Sequence, residues 1–518
     1  MNTKQTINKN LKIYLIVMVF IQSLVLIYLM NKKQNLFCDE IFSYSLSNSK
    51  FGILFEKEGK SSLEWHNRWI DSKTLKDYIS VSSKNIFDYK NVYYNQTLDC
   101  HPPLFYYIIH TICSFFPNTF SKWYGFSFNI VLFVFVQLLL FVISKKTFNS
   151  DNYALLTCFI YGFSSCAIDC FIFIRMYSFQ SFFYLLYVYF IMKLLEKNNS
   201  IYYYSIILVT ILGSLTQYHF YLFCFFIDLT LIIITERHKI LHIVIANIFG
   251  FIISNLYFPY FYQHIVNSSN GLDALNIIDR ISPCILSISY TLQEFLGLNT
   301  TFSIYISLIF VLSLFVFAIV YFVKHYFDKS SYNNMLIVYL TTFVYTAFIF
   351  STINYKYFGI ILSGRYFFPI CPMIIIIIVS FLYKLKKEYL TYFVIILIVS
   401  SNYQTLDYYY PYIKENSDVL RLEKLIKNKN LIIYCNETGI YHSLFLSLLQ
   451  TNKIFSKFYN NKKNIDLNEI PFTDKESTYL LIYPSNKFID TKFTKIMEGK
   501  IEYWPYHFGL YDINSIRK

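Results

Sequence analysis

Between residues 198 and 235 the chain carries a single formal charge, Asp228. As one helix this stretch would measure roughly 55 Å at about 1.5 Å per residue, nearly twice the hydrocarbon core of a bilayer. It therefore reads as two spans, and the polar pair Gln217 and His219 marks the turn between them. Segments that meet or approach an uncharged length of about 18 residues lie at 11–30, 122–143, 152–170, 176–192, 199–216, 218–235, 240–260, 301–323, 332–353, 366–383 and 389–406. The expectation is a multi-span α-helical integral membrane protein with about eleven transmembrane helices. Composition agrees, since soluble domains carry about 25% charged residues and this chain has 15%, against 55% hydrophobic.

The net charge of +13 comes from Lys and Arg scattered in twos and threes between apolar runs. No single basic face forms, so nucleic-acid binding is set aside. Short cytoplasmic loops keep an excess of Lys and Arg. With the N-terminus inside, the inner loops hold fourteen such residues, among them Lys4, Lys145, Lys146, Lys193, Arg237, Lys324 and Lys384. The outer loops hold four, Arg175, Arg280, Lys356 and Arg365, so the topology reads N-in and C-out. Residues 31–103 are left out of that count because long loops escape the rule. The uncharged run from Ile13 to Met30 is followed by no small-residue cleavage site and reads as a retained anchor.

Pro103 to Phe116 is apolar but would be only about 21 Å long as a helix, too short to cross. It reads as an interfacial helix at 103–116 on the outer side, opened by Pro102 and Pro103. Two regions are polar enough to leave the membrane. One is the outer loop 31–103, with short amphipathic stretches such as Leu63 to Ile79. The other is the tail 407–518, where strand-like runs (Leu431–Tyr434, Tyr479–Tyr483) alternate with helix-like ones (Asp418–Ile426, Tyr441–Leu449), as in a small α/β domain. The division is thus a membrane domain over 1–406 and an extracytoplasmic domain over 407–518. Ten cysteines stand singly, without a CxxC pair or metal-ligand spacing, which argues against a zinc module.

Four short motifs carry reactive groups: Cys38-Asp39-Glu40 after the first span, Asp99-Cys100-His101-Pro102-Pro103 before the interfacial helix, Arg175-Met176-Tyr177 and Ser363-Gly364-Arg365-Tyr366. Each has a plain structural reading as loop acids, a helix start or a helix anchor. Under the N-in topology all four fall at the outer face, where paired carboxylates can serve as base and metal or sugar ligand. Arginine matches a phosphate bidentately and stays charged. Cys38 and Cys100 adjoin the acids, and a bridge between them would close a loop of about 60 residues; two reduced thiols are the alternative. Asp228, within a span, reads as a satisfied structural acid. His219 reads as an interfacial histidine, with donor or acceptor contact as the other reading. The acceptor-type triplets at Asn95, Asn267, Asn299 and Asn436 are explained by chance in an Asn-rich chain.

The order and spacing of these motifs, including Asp99 to Tyr107, Arg175 to Ser178 and Gly364 to Pro369, resemble the GT-C glycosyltransferases over roughly residues 10–400. The nearest branch is that of the protein O-mannosyltransferases and lipid A aminoarabinose transferases. The resemblance implies transfer of a sugar from a polyprenyl-phosphate donor to a lipid, polymer or protein acceptor on the non-cytoplasmic side, in cell-envelope glycan, glycolipid or glycoprotein synthesis, usually with inversion. It implies Asp39 as base, Glu40 and Asp99 as its acidic companions, and Arg175 and Arg365 as donor-phosphate ligands. His101, Tyr177 and Tyr366 join the candidate donor-phosphate or substrate contacts. No Asp-x-Asp stands near Asp39, so the metal is unknown and a divalent cofactor is left open. The rival expectation is a polytopic transporter or lipid flippase, but such proteins tend to show repeated halves and midplane polar groups, and the chain shows no repeat. The plasma membrane is the expected location.

Overall fold

The computed structural model describes residues 9–33, 36–50, 68–234, 237–267, 364–383, 417–435, 441, 444–458, 478–483, 494–500 and 507–512, with isolated positions between 316 and 345. The chain divides into two compact units. One holds residues 1–30, 100–105 and 125–408, and the other holds 31–99, 106–124 and 409–518.

Helices dominate the first unit, and their limits follow the uncharged runs. They are α1 (Lys9–Lys32), α6 (Trp123–Phe148), α7 (Asp151–Gly162), α8 (Ser165–Ile172), α9 (Tyr177–Glu196), α10 (Ser200–Thr216), α11 (His219–Ile234), α12 (Arg237–Tyr257), α13 (Phe261–Asn267) and α14 (Cys371–Tyr383). Among the described residues, α1, α6, α9 and α12 are long and apolar enough to cross a membrane, and the bent pair α7 and α8 forms a fifth candidate. The chain is thus a multi-span helical membrane protein. The expected span at 389–406 lies outside the described residues, as do most of 301–323 and 332–353. The turn anticipated near Gln217 is present: Gln217 is extended, with φ −159° and ψ 136°, and separates α10 from α11. The expected span at 152–170 is a pair of helices bent by 59°. Ser164 explains the bend, for its hydroxyl caps α8 by accepting the Ala167 N–H at 3.2 Å and so starts a new helix.

Buried amides tie these apolar helices together, as expected where packing and interhelical hydrogen bonds replace the hydrophobic drive. Gln137 of α6 donates to Gln22 Oε1 of α1 at 2.9 Å, and both amides donate to the Cys158 carbonyl of α7. Asn247 of α12 donates to both oxygens of Asp228 at 3.0 and 2.9 Å and to Tyr187 Oη at 2.6 Å, while its own carbonyl accepts from Thr210. Asp228 is thereby engaged in joining α9, α10, α11 and α12.

The second unit combines the outer loop with the tail. Its helices are α2 (Cys38–Asn48), α3 (Ser72–Ile79), α4 (Tyr89–Leu98), most of α5 (Leu104–Ser114), α15 (Ser417–Ile426) and α16 (Phe445–Leu448). Its strands are β1 (Trp69–Asp71), β2 (Asn430–Cys435), β3 (Lys453–Phe458), β4 (Thr478–Tyr483), β5 (Thr494–Lys500) and β6 (His507–Asp512), in the order β1-β3-β2-β4-β6-β5. β2 runs parallel to both β3 and β4, and the remaining pairs are antiparallel. The buried run Leu431 to Cys435 suits a central parallel strand covered on both faces. Within the amphipathic stretch Leu63 to Ile79, Trp69–Asp71 is a strand and helix begins at Ser72, where Asp71 accepts the Thr74 N–H at 2.8 Å. The tail's sheet therefore takes its outermost strand from the first outer loop.

His110 of α5 is buried, with the Tyr89 ring edge-on at 5.7 Å, and burial lowers its pKa from the usual 6.5. The unfolded chain accepts a proton near 6.5 that the folded imidazole resists, so this group's effect on stability is nil above that value. Stability then falls as pH drops from about 6.5 toward the lowered folded pKa. His110→Gln is expected to lose less thermal stability than the parent between pH 7.5 and pH 5. Equal losses in the two proteins would show that His110 is not a source of acid sensitivity.

Candidate active site

In the first unit, the turn between α8 and α9 carries a buried arginine, Arg175. Asn129 of α6 shapes that turn, donating to the carbonyls of Phe171 at 2.8 Å and Phe173 at 3.2 Å while Ser178 donates to its Oδ1 at 2.8 Å. These bonds satisfy carbonyls released where α8 ends. Tyr177 follows as the first residue of α9. Arg365 and Tyr366 lie in a 3-10 turn over Gly364–Ile370 that leads into α14. The buried Arg365 guanidinium sits 5.3 Å from the Tyr366 ring centroid, within cation–π range.

The two arginine motifs meet through their tyrosines. The Tyr177 ring stands edge-on to Tyr366 at 6.1 Å and to Phe368 at 6.2 Å. A disulfide between Cys166 and Cys371, 205 residues apart in sequence, joins α8 to α14, the helices flanking the two motifs. His219 at the start of α11 packs its ring against Tyr366 at 6.0 Å, and His101 lies within electrostatic range of His219. Tyr177, His219, Arg365 and Tyr366 therefore form one contact group inside the first unit, with Arg175 two residues before Tyr177 in the chain and His101 in electrostatic range of His219. Fixed guanidiniums beside aromatic rings can hold a phosphate and a flat sugar face.

The acids belong to the second unit. Asp39 is in the first turn of α2, half-buried, where the positive end of the helix dipole favours a carboxylate. Glu40 beside it is fully buried: both its oxygens lie 2.7 Å from Lys33 Nζ, and it accepts the Phe37 N–H at 2.7 Å. Lys122 also holds this segment, donating to the carbonyls of Asn31 and Lys33, and Tyr44 donates to the carbonyls of Ser121 and Lys122. Asp99 terminates α4 as its C-cap. Asp99, Cys100 and His101 are consecutive, and one ligand atom from each lies within 4.8 Å of the others.

Residues 100–260 match the family model described as dolichyl-phosphate-mannose-protein mannosyltransferase. Over that segment the chain is similar to the GT-C-like protein O-mannosyltransferases. No curated protein matches it. The transferase carries His101, Arg175, Tyr177 and His219 inside the matched segment, whereas Asp39, Glu40, Asp99, Arg365 and Tyr366 lie outside it. The match makes it a membrane glycosyltransferase that draws on a polyprenyl-phosphate-linked sugar.

Several residues around these candidate positions gave no usable sequence signal. Lys33 looks like a flanking anchor of the first span until the structure shows it buried against Glu40. Asn129 is one polar residue in an apolar helix, and its carbonyl partners lie 42 and 44 residues away. The Cys166–Cys371 bridge has no motif at either end, and Cys38 and Cys100 are not disulfide-bonded. Removing one member of a buried ion pair strands the other charge, at a cost of about 3–5 kcal/mol. Lys33→Met is expected to lower stability by about that much, and Lys33→Met with Glu40→Leu to recover most of it. Equal destabilisation in the single and double variants, read by thermal unfolding, would show that the two charges do not act as a pair.

Proposed function

We propose that the transferase moves the sugar to an acceptor hydroxyl on the non-cytoplasmic face, with the N-terminus cytoplasmic, the tail outside and about eleven spans between. The observation that carries the site assignment is the meeting of the Arg175 and Arg365 motifs through Tyr177 and Tyr366, beside His219. In this reading the arginines hold the donor phosphate and neutralise the charge that develops as the glycosyl bond breaks. Asp39 takes the proton of the acceptor hydroxyl as its oxygen attacks the anomeric carbon, and polyprenyl phosphate leaves from the opposite face. Glu40, its oxygens engaged by Lys33 and the Phe37 N–H, orients α2 rather than moving protons. Asp99, His101, Tyr177 and Tyr366 contact donor or acceptor, and a divalent ion at residues 99–101 is compatible with these roles. Residues 1–406 supply the catalytic membrane part, with 407–518 as the extracytoplasmic part, at the plasma membrane in cell-envelope synthesis.

The test is to give labelled polyprenyl-phosphate sugar to membranes containing the parent or the Asp39→Asn protein and to fractionate lipid, polymer and protein afterwards. Label is expected to leave the donor in parent membranes alone, and the fraction receiving it identifies the acceptor. Label that stays on the donor while sugar-lipid moves between leaflets of reconstituted vesicles would favour a flippase.

A further inference from the structure

The sheet of the tail ends on a strand borrowed from the loop that carries the acids. β1 pairs antiparallel with β3 in the register Trp69 to Phe455, Ile70 to Ile454 and Asp71 to Lys453. The Trp69 and Phe455 rings lie 5.6 Å apart, both Ile70 and Ile454 are buried, and the Ser72 N–H donates to the Asn452 carbonyl at 3.2 Å. Without β1 the long strand β3 would present an unpaired edge, which folded proteins generally cover.

The connection continues from β1 toward the acids. Asp71, the last residue of β1, caps α3, and Tyr78 of α3 packs its ring 5.8 Å from Phe445 of the tail helix α16. At the end of α3 the Ile79 carbonyl accepts from Asn48 at 2.9 Å, and Asn48 is the last residue of α2, the helix that begins with Asp39. The end of α2 is also held by α4. Asn91 donates to the Ser49 carbonyl at 2.7 Å, and Asn95 donates to the carbonyls of Leu46 at 3.0 Å and Ser49 at 2.8 Å. Helix α4 in turn ends at Asp99. A continuous series of contacts within one unit thus runs from β3 through β1 and α3 to α2 and α4.

We propose that the C-terminal domain is a positioning module: by taking residues 69–71 into its sheet it fixes the helices that present Asp39 and Asp99. The consequence for turnover rests on the proposed role of Asp39, whereas the strand pairing does not. Trp69, Ile70 and Tyr78 are positioning residues, since they act through α2 and α4. Disrupting the pairing should lower kcat and spare donor binding, because the arginine group belongs to the other unit.

Two full-length variants test this. Ile70→Asp places a charge between buried strands and is expected to reduce kcat at least tenfold with donor Kd within twofold of the parent. Trp69→Cys with Phe455→Cys, directly opposed in register, should crosslink under oxidation in native membranes, because opposed antiparallel residues lie about 4.5–5.5 Å apart at Cα, within disulfide reach. The crosslinked protein should keep turnover within threefold of the parent. Adding the pair to Ile70→Asp should restore turnover when oxidised and lose it again on reduction. Failure to crosslink, an inactive crosslinked protein, absence of rescue, or parental kcat in Ile70→Asp would each overturn the proposal. Should Ile70→Asp not fold, the crosslink in the otherwise unchanged chain still decides. A parent protein without transferase turnover would sink the functional reading instead, while crosslinking would still report on the pairing.

Discussion

Replacing Asp39 by Asn will reduce sugar transfer by about 10²- to 10⁴-fold, the range a positioned general base contributes, and will leave donor affinity nearly unchanged. The amide keeps the shape of the carboxylate but cannot take the acceptor's proton. Asp39 is half-buried in the first turn of α2, so losing its charge removes about 0.3–1 kcal/mol of helix-dipole stabilisation. The buried Lys33–Glu40 pair and the Phe37 cap stay in place and keep α2 started at the same residue. A catalytic loss of that size in a folded protein therefore reports on proton transfer. Turnover near the parental rate in purified Asp39→Asn would remove the residue from this role.

Arg365→Ala will weaken donor binding by about 10- to 100-fold, because charged hydrogen bonds contribute about 1.5–3 kcal/mol each and about 1.4 kcal/mol is tenfold. Arg365→Lys should recover only part, since an ammonium cannot reproduce the planar fork of a guanidinium. Arg175 should behave alike if its motif, joined to that of Arg365 through Tyr177 and Tyr366, holds the same phosphate. Equilibrium binding of a polyprenyl-phosphate sugar to the purified variants reads both effects. Unchanged affinity in Arg365→Ala would make this arginine a helix anchor and nothing more.

What could be read from the sequence was mostly local. Uncharged length predicts α1, α6 and α9 because every backbone polar group in lipid must be satisfied within the helix. Gln217 marks the α10–α11 turn because the uncharged run around it is too long for one span. In the tail, the runs at 431–434 and 479–483 became β2 and β4, and the helix-like stretch from Asp418 became α15. The bend between α7 and α8 was harder to read, because Ser164 caps a helix in a stretch without a formal charge to announce a break. Pairings between distant residues left no local trace. Three residues, Trp69 to Asp71, form a strand only because β3, nearly 400 positions later, offers an edge. Glu40 shows the same limit within the site. Next to Asp39 it reads as a second catalytic acid, and only the buried Lys33 reveals where its oxygens are engaged.

The most direct measurement supplies purified protein with a polyprenyl-phosphate sugar and an extract of membrane acceptors, and follows free polyprenyl phosphate together with sugar on the acceptor. The two products should appear one for one with the parent protein and nearly vanish with Asp39→Asn. Donor left intact with every polyprenyl-phosphate sugar tried, or equal release by the parent and Asp39→Asn, would contradict the account.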